Sequence, residues 1–235
     1  MLYQKRNIIL VVLVALVASL LLAAPFQAYA RVSVSIVIST DELRLQDALL
    51  MAVLANYFDI DLKLVVVLHD QRRFTLPEIA MLLALARAAG CEVNSVVALR
   101  AKGIGWGVIA HRLGVHPGLF NQRRVFYGWG KNRDAYVENI FIIKVIAGYY
   151  RVDYRALNNW HRKGIPVGEL AVAANFSAKT GSGIDESIQS RLKGMSWEKL
   201  SLKRKLKSTD LSAPAKPVNK FMAGLKKIKV VPEEE

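Results

Sequence analysis

Apolar residues along this chain recur at the spacing of one helix face, and they do so several times. Leu76, Ile79, Ala80 and Leu83 stand at i, i+3, i+4 and i+7; so do Trp106, Ile109, Ala110 and Leu113, and so do Val167, Leu170, Ala171 and Ala174. That period predicts amphipathic α-helices. A fourth segment, Trp197, Leu200, Ser201 and Arg204, keeps the first half of the stripe and loses the second. Before three of these segments stand Gly103-Ile104, Gly164-Ile165 and Gly194-Met195, each after a short helical stretch that ends in a basic residue: Arg100, His161 or Arg191. The unit is helix, glycine turn, helix, and the recurring glycine suits a turn at positive φ.

A larger repeat encloses these units. Tyr57–Lys63 reads Y-F-D-I-D-L-K and Tyr149–Arg155 reads Y-Y-R-V-D-Y-R; each follows an apolar helix and precedes two of the hairpins. Matched hairpin residues lie about thirty residues apart, the period of stacked helical arrays, in which one hairpin cannot bury its own face. The predicted fold is therefore all-α, a duplicated array of short helix-turn-helix hairpins arranged as a solenoid or a compact bundle. The polar fourth unit reads as a terminal cap.

The remaining segments follow from their patterns. In the first helix Leu45, Ala48, Leu49, Ala52, Val53 and Tyr57 share a face, with Thr40 or Asp41 as N-cap. Leu62–Leu68 has the β-branched density of a strand, but its place in the repeat makes it a short helix. Thr75-Leu76-Pro77-Glu78 has the form of a capping box, opening a helix that runs to Ala89 and stops at Gly90. Residues 31–40 alternate as a strand does, and are expected to be an extended leader. The expected organisation is residues 1–30, 31–40, a first repeat half at 41–118, a basic Gly- and aromatic-rich insert at 119–134, a second half at 135–207, and a basic flexible tail at 208–235.

The first segment is read differently. Lys5 and Arg6, an unbroken apolar run from Ile8 to Ala24, Pro25 and then Ala28-Tyr29-Ala30 have the layout of a signal peptide cleaved after Ala30. Export to the periplasm, the envelope or the extracellular space is expected, with an uncleaved inner-membrane anchor as the alternative. Cys91 stands alone, so an internal disulfide is excluded; it is a small core residue or an intermolecular bridge. The formal charge is +14, and +12 once Lys5 and Arg6 leave with the signal. An exported protein of that charge is suited to an anionic envelope polymer, membrane headgroups or an acidic protein.

Catalytic and cofactor chemistry find little purchase. His111 and His116 are off the i, i+4 spacing of paired metal ligands, and His69 and His161 have no Cys or second His nearby. Asp59/Asp61 and Asp185/Glu186 sit where helices begin, which capping explains. Gly103, Gly105 and Gly107 lack the strand and the Lys-Ser/Thr ending of a phosphate loop. No enzyme activity and no cofactor are expected. Ile109–Val115 is similar to the first helix and turn of helix-turn-helix domains, which makes nucleic-acid binding the alternative function, although Pro117-Gly118 follows where a recognition helix should start.

The G-x-G-W-G-x-I-A pattern of Gly103–Ala110, together with the repeated Y-[FY]-x-[IV]-D, resembles a group of exported bacterial helical-repeat proteins without an assigned activity. The resemblance covers about Tyr57 to Leu200 and implies architecture alone. The expected function is a non-enzymatic interaction module for an anionic partner. Its expected contacts are Arg123, Arg124, Trp129, Lys131 and Arg133 in the insert and Lys203, Arg204, Lys205, Lys226, Lys227 and Lys229 in the tail, the latter as a basic amphipathic helix. Self-association is expected through residues 31–40 or Cys91.

Overall fold

The structure, a computed structural model, describes residues 40–116 and 131–216. The expected signal, leader, most of the insert and the tail beyond 216 lie outside these residues. The described chain is all-α. Its order is α1 (Thr40–Phe58), α2 (Leu62–Val66) running into a π-helical turn (Val67–Gln71), α3 (Leu76–Ala89), α4 (Val93–Ala101), α5 (Trp106–Arg112), α6 (Lys131–Tyr150), α7 (Tyr154–Arg162), α8 (Val167–Thr180), α9 (Ile184–Leu192), α10 (Trp197–Lys203) and a 3-10 turn (Ser208–Leu211). No helix among the described residues is long and apolar enough to cross a membrane.

The duplication is real and nearly exact. Helices α3, α4 and α5 match α8, α9 and α10 residue for residue with a shift of 91, from Leu76 to Val167 and from Trp106 to Trp197. We call the first set, with α1 and α2, copy one and the second, with α6 and α7, copy two. The opening parts are shifted by 92: Asp61 caps α2 by accepting the Lys63 amide (2.8 Å), and Asp153 caps α7 by accepting the Arg155 amide (2.9 Å). The extra residue of copy one lies in the π turn, where the Arg72 amide reaches back five residues to the Val67 carbonyl (3.1 Å). A single inserted residue is absorbed by one widened turn rather than by a break in the helix. His69 Nδ1 accordingly meets the carbonyl of Phe74, five residues on (2.9 Å), whereas His161 Nδ1 meets that of Ile165, four residues on (3.0 Å).

All four hairpin turns use a left-handed residue. Three are the expected glycines, Gly103, Gly164 and Gly194, at φ +75°, +101° and +83°. The fourth is Arg73 at φ +60°, so the first turn of the array carries no glycine. Each following helix starts on a different N-cap, Thr75, Gly105, Pro166 or Ser196, and Thr75 with Glu78 forms the expected capping box.

Helices α3 and α8 are buried nearly all round: Ile79–Arg87 on one and Glu169–Phe176 on the other. Such helices need cover on every side. The long helices supply it crosswise, α6 of copy two lying along α3 and α1 of copy one along α8, so that one core joins both copies.

Four expectations are corrected. The buried face of α1 is turned by about one residue: Gln46, Leu49, Leu50, Val53, Leu54 and Phe58 are buried while Ala48 is exposed, because Gln46 has a hydrogen-bonded partner inside. Helix α6 starts at Lys131, inside the segment read as insert. The tail does not begin as a flexible one at 208: Leu211 is fully buried, and Asn175 Nδ2 donates to the Leu211 carbonyl (2.8 Å) while its Oδ1 accepts the Ala215 amide (2.8 Å). The run Lys203-Arg204-Lys205 is not a continuous basic helix, since α10 ends at Lys203 and Lys205 is left-handed at φ +57°, with the Leu206 amide reaching back to the Ser201 carbonyl (2.9 Å).

Candidate functional site

The basic residue that closes each short helix is a tie. In copy one, Arg100 Nη1 donates to Asp134 Oδ2 (2.6 Å) and Nη2 to Glu138 Oε1 (2.9 Å) and Glu78 Oε1 (3.2 Å), while its guanidinium lies 4.2 Å from the Trp106 ring centroid. Trp106 Nε1 donates to the same Glu138 oxygen at 2.6 Å. In copy two, Arg191 Nε donates to Glu169 Oε1 (2.5 Å) and Nη1 to the Met195 carbonyl (2.7 Å), with Trp197 5.4 Å away. Arg100 matches Arg191, Glu78 matches Glu169, and Trp106 matches Trp197.

Each tie is completed from the other copy. Glu138 comes from α6 and serves copy one; its counterpart Gln46 comes from α1 and serves copy two, with Nε2 donating to Glu169 Oε2 at 2.8 Å. Gly168 leaves room for it, since a Cβ there would stand 2.9 Å from Gln46 Cβ.

Electrostatics separate the two corners. Arg191 and Glu169 are matched one to one and out of water, with side chains 3% and 0% exposed, which makes the pair a structural staple. The Arg100 corner holds three carboxylates against one guanidinium. Burial pushes the Glu138 carboxyl above its usual range; the Trp106 hydrogen bond opposes that, Glu78 adds to it, Arg100 opposes it and Asp134 adds to it. With three carboxylates around one guanidinium, such a corner does not suit an anionic ligand.

Anions would be met elsewhere. Lys203, Arg204 and Lys205 are exposed together where α10 ends. Arg204 Nη2 reaches Glu186 Oε1 at 2.9 Å, a pair with 45% and 62% exposed side chains, and Lys203 Nζ lies 3.2 Å from Met195 Sδ. A surface pair of that kind leaves both side chains available to a ligand. Lys131 and Arg133 fall on the first turn of α6, with side chains outside the described set. Arg123, Arg124, Trp129, Lys226, Lys227 and Lys229 lie outside the described residues altogether. The structure thus brings together three of the expected contacts and leaves the other eight undescribed.

Trp106 is 1% exposed and belongs to the core, as do Ile109 and Ala110 of the helix-turn-helix-like stretch. Cys91 is half-buried, and burial raises its thiol pKa. Among the described residues no group of three His, Cys, Asp or Glu side chains is placed to hold a metal ion. Glu138, Glu169, Gln46 and Asn175 escaped sequence reasoning. The one available signal was the basic residue three positions before each turn glycine, at Arg100, His161 and Arg191. No family model, no curated protein and no solved structure matches the chain.

Proposed function

We propose that the protein is a non-catalytic binding module of the cell envelope or exterior. It meets an anionic partner, whether envelope polymer, headgroup surface or acidic protein, with the surface of copy two. One observation carries this reading: the charge is distributed unequally between two otherwise matched copies. Over residues 44–116 the exposed charged side chains are six basic and five acidic; over the matched residues 136–207 they are ten basic and four acidic. A charge excess needed only for solubility has no reason to favour one copy, whereas a field that steers a polyanion does.

The nucleic-acid alternative is less well supported. In copy one the Ile109–Val115 stretch does turn at Gly114 (φ +64°), but the matching turn of copy two, at Lys205, leads into the short 3-10 turn Ser208–Leu211 and not into a recognition helix.

The test is retention of the full chain on anionic vesicles and on purified envelope polymer across a salt series. Retention should fall steeply with salt, because exposed charges are screened within about 8–10 Å at physiological ionic strength. Lys203→Glu/Lys205→Glu/Lys207→Glu should lose most of it, and retention unchanged in that variant overturns the reading. N-terminal sequencing of the native protein checks export, with Arg31 as the expected first residue.

A further inference from the structure

Between the end of α8, α9 and α10 lies a cleft of about 500 Å³. Phe176, Met195 and Leu200 give it an apolar floor, Ser187 and Ser190 a hydroxyl-bearing wall, and Lys203 and Arg204 a cationic rim on which Glu186 is held by Arg204. Its volume falls in the range of small-molecule sites, and its lining is mixed, three apolar side chains against six polar or charged ones, which suits a ligand that is itself amphipathic.

The internal duplication supplies a control. With the shift of 91, the same place in copy one is occupied by Leu85, Val96, Leu99, Ile104, Ile109 and Leu113. All six belong to or pack against the hydrophobic core. The floor is conserved in character, as Leu85, Ile104 and Ile109 correspond to Phe176, Met195 and Leu200. The wall and rim are not: Val96, Leu99 and Leu113 become Ser187, Ser190 and Arg204. Ser187 is 2% exposed, so a hydroxyl has replaced an isopropyl group inside the fold and given up apolar burial that the matched position keeps. Arg112 and Lys203 are both basic; Arg204 adds a second cation to the rim, and Glu186, standing where copy one has Ser95, adds the carboxylate that holds it. Cys91 and Ser95 likewise become Ser182 and Glu186, so five matched exchanges fall on one cleft and each of them adds polarity or charge, unlike the scattered drift of a solvated surface.

We propose that this cleft binds a small amphipathic anion, an alkyl carboxylate or alkyl phosphate. The chain of the ligand lies on Phe176, Met195 and Leu200, and its headgroup meets Lys203 and Arg204 with Ser190 alongside. Binding exchanges the Arg204–Glu186 surface pair for a charge-assisted contact with the ligand. The inference deepens the proposed function, since it rests on copy two being the face that meets anions, and it names a chemical class for one site on that face. Free amphiphiles and anionic lipids share this chemistry.

The test is calorimetric titration of the full chain with octyl phosphate, with octanol and inorganic phosphate as half-ligands. Octyl phosphate is expected to bind saturably, at one site, and at least tenfold more tightly than either half. Ser190→Leu restores the copy-one residue, fills the cleft and should weaken octyl phosphate at least tenfold while leaving salt-dependent retention on polymer unchanged. Arg204→Leu, the other copy-one residue, gives a second reading if Ser190→Leu does not fold. Vesicle retention reduced in Ser190→Leu identifies a lipid as the source, and retention unchanged identifies a free amphiphile. Equal binding by wild type and both variants, or equal affinity for octyl phosphate and octanol, overturns the proposal. Loss of polymer retention alone would overturn the broader reading and leave the cleft standing.

Discussion

Gln46 and Glu138 occupy the same position in the two copies, 92 residues apart, and each reaches into the other copy's arginine corner. One is a neutral amide beside a balanced ion pair; the other is a carboxylate among two more. The folded pKa of Glu138 lies above its ordinary value, so between those two values the native state binds more protons than the unfolded chain. Stability from this group is present at acid pH and is lost as pH rises through that window. Glu138→Gln should therefore flatten the fall in stability above the ordinary glutamate range and leave stability at neutral pH equal or higher. Urea midpoints at several pH values read this out, and an unchanged slope would refute it.

The Arg191–Glu169 pair should behave quite differently from the Arg204–Glu186 pair. Arg191→Ala leaves a buried carboxylate without its guanidinium and should cost about 3–5 kcal/mol. Arg204→Ala removes an exposed pair and should cost less than about 1 kcal/mol. Denaturant unfolding of the two variants in parallel would contradict this if the losses were similar.

Deletion of Asp70 tests the origin of the π turn. Removing this exposed residue gives copy one the same spacing as copy two and should return Val67–Gln71 to ordinary helical bonding, with the His69 ring meeting the Phe74 carbonyl four residues on. Circular dichroism should show an unchanged helical content and a cooperative melt. A molten or broadened transition would show that the extra residue is required for packing.

Asn175 is the anchor for the chain after α10. It donates to the carbonyls of Leu211 and Ala213 and accepts the amide of Ala215, and Tyr149 adds a bond to the Ala215 carbonyl. Asn175→Ala should cost about 1–3 kcal/mol, because it leaves the carbonyl of the buried Leu211 unmet and releases the half-buried Ala215 amide. Hydrogen exchange at the Ala215 amide should accelerate more than at the amides of α8. Uniform acceleration would mean global destabilisation and no specific anchor.

Much of the fold was legible because it rests on local rules. Helical spacing, the Thr75 capping box, the turn glycines and the Tyr57/Tyr149 repeat all act within a few residues. The failures were interactions at long range. The face that α1 buries depends on Gln46 finding Glu169 across 123 positions, and a polar residue with a distant partner is invisible to an apolar pattern. The same reason hid Asn175 and the packed segment it holds. Arg73 concealed a turn because a left-handed residue need not be glycine when the flanking helices fix it. The charge run at Lys203, Arg204 and Lys205 was legible as a run and the structure exposes all three, whereas the cleft beneath them depends on side chains from three helices and shows no local pattern.

The crosswise packing of α1 on α8 and α6 on α3 bears on stoichiometry. Two identical chains that paired in this way would form an isologous dimer, and symmetry would give every surface feature twice. With both copies on one chain the two halves can diverge separately. One retains Val96, Leu99 and Leu113, while the other carries Ser187, Ser190 and Arg204. Among the described residues the basic excess therefore falls on one copy, where a symmetric dimer would carry it on both. On the proposed reading one chain by itself is monovalent, able to occupy a site on an anionic surface without cross-linking it.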